Sequence, residues 1–197
     1  MDMSAQQPIV IFTAPSGAGK TSIVRYLLER VPQLCFSISA ATRQARKGEV
    51  NGKDYYFMPM SEFQHYIQEN AFAEWEMVYE GKYYGTLRRE LERIWTAGKV
   101  PVLDIDVKGA IHVQQQYPQH TFSVFVKPPS VAELRNRLES RGSETPESLE
   151  TRLSKAEYEL SFQDHFTTIV VNQSLSQACA EALVKVTAFL HAFYPQI

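Results

Sequence analysis

The 197-residue sequence predicts an α/β fold, a central parallel sheet flanked by helices. Apolar, β-branched runs alternate with segments of helical spacing over most of the chain. Near the N-terminus one strand runs through a glycine loop straight into a helix. Residues 40–86 and 137–158 break the alternation, one rich in Tyr, Glu and Lys and the other in arginine. A core of 1–39, 87–136 and 159–197 is therefore expected to carry two smaller pieces.

The elements follow in order. Ile9–Thr13 is an apolar strand suited to burial on both faces, and Lys20–Arg30 is a helix stopped before Pro32. Cys35–Ser39 is a second strand. Within 40–86, strand-like pieces Tyr55–Met58 and Phe72–Val78 surround a helix, Glu62–Gln68, and suggest a small sheet of their own. Leu87–Ala97 is a helix closed by Gly98, Val100–Ile105 a strand, and Gly109–Gln116 a helix ending near Pro118. Thr121–Val126 is a strand, and Val131–Ser140 and Pro146–Ser161 are helices around the loop Gly142-Ser143-Glu144-Thr145-Pro146, the composition of a movable lid. Thr168–Val171 and Leu175–Phe193 complete the pattern as strand and helix, without internal repeats or low-complexity segments.

Composition narrows the function classes. A formal charge of -2 argues against a bulk electrostatic grip on nucleic acid. No apolar run approaches the ~20 residues that span a bilayer, and the first seven residues lack the basic and apolar regions of a signal peptide. Cys35 and Cys179 lie far apart, as in a reducing cytoplasm, and the five histidines have no ligand spacing. No nucleic-acid or membrane partner is expected, and the oligomeric state is left open.

The loop Ala14-Pro15-Ser16-Gly17-Ala18-Gly19-Lys20-Thr21 carries the chemistry. It fits the phosphate-binding pattern G-x-x-x-x-G-K-S/T with alanine in place of the first glycine. Gly17 and Gly19 free the backbone to turn N–H groups toward phosphate oxygens, and the helix start adds its positive dipole end. Lys20 supplies a mobile charge for the β/γ-phosphates, and the Thr21 hydroxyl is placed to ligate Mg²⁺. A nucleoside triphosphate is the expected ligand. Further on, Arg43 and Arg46 are spaced to aim two guanidinium forks at one phosphate, with the Tyr55 hydroxyl as a third donor. A second phosphate site beside a P-loop is what a phosphotransferase needs for its acceptor.

Nearly end to end, the chain resembles the guanylate kinases. The similarity runs through Pro15-Ser16-Gly17-Ala18-Gly19-Lys20-Thr21 and Thr42-Arg43-x-x-Arg46-x-Gly48-Glu49-x-x-Gly52-x-x-Tyr55, then Phe72-x-Glu74 and Tyr84-Gly85-Thr86. It continues in Leu103-Asp104-Ile105-Asp106, Pro128-Pro129-Ser130, Arg141-Gly142 and Val170-Val171-Asn172. The resemblance implies a nucleoside-monophosphate-kinase fold with a GMP-binding insert at 40–86 and a helical lid at 137–158. It implies that Arg43, Arg46, Tyr55 and Tyr84 hold the GMP phosphate. Ser39 and Thr86 then bond the guanine ring, while Glu74 and Asp106 accept from its N1–H and exocyclic amine. Asp104 resembles the strand-end aspartate that orders Mg²⁺, directly or through water. Arg141 and Arg152 match arginines that close over the transferring group; Arg137 and Asn172 match the ATP side more weakly. The chain departs from the family at Ala40-Ala41, Ala45 and Gln173, and 75–82 is one residue longer than usual.

The implied reaction moves the γ-phosphate of ATP to GMP, with dGMP a further acceptor, and yields ADP and GDP. Two alternatives stand beside it. A kinase for another nucleoside or sugar phosphate is opposed by the Glu74, Thr86 and Asp106 set. A non-catalytic guanylate-kinase-like binding module is opposed by the intact Gly17, Gly19, Lys20, Thr21 and Asp104.

Overall fold

A computed structural model describes residues 7–140 and 146–194. Strand β1 (Ile9–Thr13) leads through the loop into helix α1 (Lys20–Arg30), both with the predicted bounds. β2 (Leu34–Phe36) follows, then β3 (Ala40–Ala41), β4 (Tyr56–Phe57), α2 (Met60–Gln68), β5 (Phe72–Tyr79) and β6 (Lys82–Leu87). The chain continues as α3 (Arg88–Thr96), β7 (Val100–Asp104), α4 (Val107–Gln116), β8 (Thr121–Lys127) and α5 (Val131–Glu139). α6 (Pro146–Leu160), a short 3₁₀ turn, β9 (Thr168–Val171) and α7 (Leu175–His191) complete it.

β2-β7-β1-β8-β9 form a five-stranded sheet in which every pairing is parallel. Its central strands are buried on both faces, and the two-residue period of β1 sorts its side chains. Val10 and Phe12 join a cluster with Ile23, Val24 and Leu27 of α1 and Val186 and Leu190 of α7. Ile9 and Ile11 join the opposite cluster with Leu91 of α3 and Ala110 and Val113 of α4. The sheet is thus the middle layer of three.

The second sheet has the order β4-β3-β6-β5 and its own small core, Met58, Phe63, Phe72 and Leu87. α5 and α6 share a separate cluster through Leu134, Leu138, Leu149 and Leu153.

Besides shifts of one or two residues at several element ends and the short strand β3, which the sequence reading lacks, the following differences bear on the site. β2 ends at Phe36 and not Ser39, and the chain then crosses to the small sheet. β6 was not foreseen, because Tyr83, Tyr84, Gly85 and Thr86 lack an apolar alternation; the pairing with β5 makes it a strand. α4 starts two residues early, since the Asp106 carboxylate accepts the Gly109 N–H at 2.9 Å and caps it. The β5–β6 pairing sets Glu74 opposite Thr86, with register shifts between Phe72 and Glu74 and between Met77 and Tyr79.

Candidate active site

The loop after β1 owes its shape to two glycines. Gly17 and Gly19 both lie at φ +94°, a region costly for residues with a Cβ. Asn70 is the only non-glycine with positive φ among the described residues, so Ala14 keeps an ordinary backbone, which is why alanine is tolerated there. The Pro15 carbonyl accepts the Ala18 N–H at 3.0 Å, tightening the turn. A Cβ on Gly17 would lie 3.0 Å from Leu134 and from Leu138, so α5 packs directly on the loop. A Cβ on Gly19 would lie 2.2 Å from the Asn172 Nδ2, which itself donates to the Ala18 carbonyl at 2.7 Å. Asn172, buried at the end of β9, therefore braces the loop, and Arg137 donates to its backbone carbonyl at 2.9 Å.

Lys20 opens α1 and pairs with the Asp104 carboxylate. The parallel register sets Asp104 beside Phe12, so the end of β7 lies next to the start of the loop. Thr21 is exposed on the first turn of α1. From α6, the Arg152 Nη1 donates to the Ser16 Oγ at 2.8 Å, which ties the helical hairpin to the loop. Arg141 lies outside the described residues.

The small sheet gathers the second group. Arg43 donates to both oxygens of Glu49, at 2.6 and 2.7 Å, and lies 4.8 Å over the Tyr55 ring. Tyr84 meets Tyr55 edge to face at 6.0 Å. Arg46 is exposed, and its backbone N–H, not its guanidinium, shares Glu49 at 2.7 Å. These bonds, the Arg43 one foremost, hold the Glu49 carboxyl down to about 2. An internal carboxylate thus occupies the Arg43 fork, one of the donors expected to hold a phosphate. Burial, and after it the negative charge of Asp104, pushes the Tyr55 phenol up, so the two anion sites feel each other.

Beside this cluster Glu74 is buried and accepts the Thr86 hydroxyl at 2.6 Å. Burial pushes its carboxyl up to about 8; the Thr86 bond opposes the rise, and the Asp106 charge adds to it. α4 approaches so closely that a Cβ on Gly109 would lie 2.5 Å from the Glu74 Oε2 and 3.2 Å from the Asp106 Oδ1. Only glycine leaves both carboxylates in place. Ser39 stands at the entrance to the small sheet, its carbonyl accepting the Tyr56 N–H at 2.9 Å.

Three acids and one glycine here carry roles that the sequence did not announce. Glu49 and Gly109 lie within or next to recognised motifs, so they were within reach of inspection. Glu159 on α6 and Glu90 on α3 look like ordinary positions on helices, yet both are buried. Burial pushes the Glu159 carboxyl up to about 7, against the charges of Lys155 and Lys20. It borders a cavity of about 190 Å³ where β5, α4 and α6 meet, with Asp106, Lys108 and Lys155 in its wall.

A P-loop lysine paired to a strand-end aspartate, next to an arginine–tyrosine anion cluster on a separate small sheet, defines a phosphotransferase of the P-loop class. The guanylate kinase family model matches residues 5–188, and the chain belongs to that family. The guanylate kinase of Salinibacter ruber is 46% identical over 182 residues, 92% of this chain and 96% of the relative. That of Bacteroides fragilis is 42% identical over 187 residues, 95% of this chain and 92% of the relative. The crystal structure of guanylate kinase from Anaplasma phagocytophilum superposes with a TM-score of 0.75 at 30% identity, covering 93% of this chain and 86% of that one.

Proposed function

We propose that the protein transfers the γ-phosphate of ATP to GMP, and to dGMP, releasing ADP and GDP. The adjacency of two anion sites, Lys20–Asp104 on the large sheet and Arg43–Tyr55–Tyr84 on the small one, carries this reading. Residues 14–21 cradle the ATP phosphates through backbone N–H groups and Lys20, with Arg137 and Asn172 on the ATP side. Arg43, Arg46, Tyr55 and Tyr84 grip the GMP phosphate, which takes the place held by Glu49. Ser39, Thr86, Glu74 and Asp106 read the guanine. Residues 40–86 then act as the GMP-binding insert and 137–158 as a lid on the core.

Among the described residues no group of three or more His, Cys, Asp or Glu is placed to hold a metal. The hard oxygens of Thr21 and Asp104 nonetheless suit Mg²⁺ arriving with the triphosphate. When bound, the ion neutralises phosphate charge.

The attacking GMP oxygen is already anionic, so no side chain has to remove a proton. Catalysis is positioning and charge compensation, which Lys20 supplies from the loop and Arg141 and Arg152 from the lid. The Arg152–Ser16 bond supports this reading of Arg152, which would help exclude water over the loop. No helix among the described residues is long and apolar enough to cross a membrane. The unpaired Cys35 and Cys179 accord with a reducing cytoplasm.

The test is ADP release with GMP, dGMP, AMP, CMP and UMP offered in turn. Only the guanine nucleotides should sustain turnover, and equal rates with AMP would overturn the base-site assignment.

A further inference from the structure

The chain passes between the two sheets twice, out through 37–39 and back from β6 into α3, and both crossings meet at Glu90. Its side chain is 1% exposed. Oε1 accepts the Ile38 N–H at 3.0 Å and the Arg93 Nη2 at 2.8 Å. Oε2 accepts the Tyr56 hydroxyl and the Arg93 Nε, both at 2.9 Å. Four donors converging on one residue require an ionised carboxylate, the side chain with that many acceptor sites. Burial alone would raise its pKa, but the bonds from Arg93, Ile38 and Tyr56 outweigh that and hold it below the usual carboxylate range.

The residues that Glu90 holds are neighbours of the acceptor site. Ile38 precedes Ser39, and Tyr56 follows Tyr55. The Tyr56 N–H closes the ring by donating to the Ser39 carbonyl at 2.9 Å. α3 is anchored in the large-sheet core through Leu91, with Ile94 also fully buried. One rigid carboxylate thus ties the core to both the base-side serine and the phosphate-side tyrosine.

We propose that Glu90 is a positioning residue for the acceptor nucleotide, setting the separation of Ser39 and Tyr55 through its bonds to Ile38 and Tyr56. The inference rests on the GMP site assigned above. An ion pair between a buried carboxylate and the half-exposed Arg93 is weak grounds for a role in stability alone, because desolvation of the acid and solvent screening of the arginine cancel much of its attraction. The cross-links to two site-bearing segments give this one a second purpose.

The experiment measures Kd for GMP without ATP, Kd for ADP, and steady-state constants, in Tyr56→Phe, Glu90→Gln and Arg43→Ala. Tyr56→Phe removes one donor and should raise the GMP Kd about 3–10-fold, a part of the roughly tenfold or more that a hydrogen bond to a charged group is worth, because the bond acts on GMP through Tyr55 and Ser39. The ADP Kd should stay within about twofold, and KM for GMP should rise more than kcat falls. Glu90→Gln places an amide among donors and should act in the same direction on the order of tenfold or more. A GMP Kd unchanged in both variants, or GMP and ADP weakened equally, overturns the proposal. If Glu90→Gln does not fold, Tyr56→Phe decides alone. Arg43→Ala separates the two levels. If it leaves the GMP Kd intact, the site assignment fails; if it weakens GMP while Tyr56→Phe does not, only the role of Glu90 fails.

Discussion

Glu74 ties guanine recognition to pH. Burial lifts its carboxyl from the ordinary 4.5 to about 8, so in the ligand-free protein at neutral pH it holds a proton. Guanine presents N1–H and an amine side by side, two donors that only the ionised carboxylate can accept together. Adenine offers an unprotonated N1 there, which the ionised carboxylate cannot bond although the protonated acid can, so the preference for guanine over adenine belongs to the ionised form and should grow across the same window. With a pKa near 8, roughly one molecule in ten is ionised at about pH 7 and most are at about pH 8.5. GMP affinity should therefore rise about tenfold across that window, with close to one proton released per GMP bound at its lower end. Working above about pH 7 keeps the second ionisation of the phosphate, near 6, out of the measurement. The assay is calorimetric titration in two buffers of different ionisation enthalpy. Glu74→Gln should weaken GMP, narrow its kcat/KM advantage over AMP, and remove this part of the pH slope. Glu159, pushed up to about 7, persists in the variant, so the difference between the two proteins isolates Glu74. A slope unchanged in Glu74→Gln, or an unchanged GMP-to-AMP ratio, would refute the reasoning.

The same shift bears on stability with the opposite sign from a paired acid. Between pH 4.5 and about 8 the unfolded chain has lost the Glu74 proton while the folded chain keeps it. Folded-state stability from this group therefore falls as pH rises through that window. The full shift corresponds to on the order of 4–5 kcal/mol above about pH 8. Ligand-free Glu74→Gln should recover part of this, about 1–2 kcal/mol or roughly 2–8 °C in Tm at about pH 8. A lower Tm at that pH would show that the carboxylate is not strained by burial.

Lys20→Ala should fold normally yet lose on the order of 10³-fold in kcat, about 4 kcal/mol of transition-state stabilisation; a near-normal rate would mean the loop does not grip the transferring phosphate. Arg152→Ala should lower kcat more than it raises KM for GMP, because its partner is the P-loop; an effect confined to the GMP KM would move that arginine to the acceptor site. Gly19→Ala meets both the +94° backbone and a Cβ 2.2 Å from Asn172, and should cost about 1–3 kcal/mol of stability. A thermal melt checks it, and an unchanged midpoint would sink the bracing role of Asn172.

Much of this protein was legible from local pattern. β1, the glycine loop and α1 lie where their spacing predicts, because a two-residue apolar period, a turn and a helical period are all properties of neighbours along the chain. The Arg43–Tyr55 run and the Asp104–Asp106 pair were equally visible as residue types able to handle phosphate and metal. What the side chains touch was not visible. Lys20 meets Asp104 only because β7 pairs with β1, and Glu49 takes the Arg43 fork, where a phosphate was expected, only once the loop has closed. β6 is a strand by virtue of β5 and not of its own composition. Glu74 becomes a proton-holding carboxyl, and Glu90 an ionised one, although their residue type is the same. Arg93 lies on the same helix as Glu90, but the Ile38 and Tyr56 donors, and the exclusion of water at both acids, come from long-range packing that no short stretch of the chain encodes.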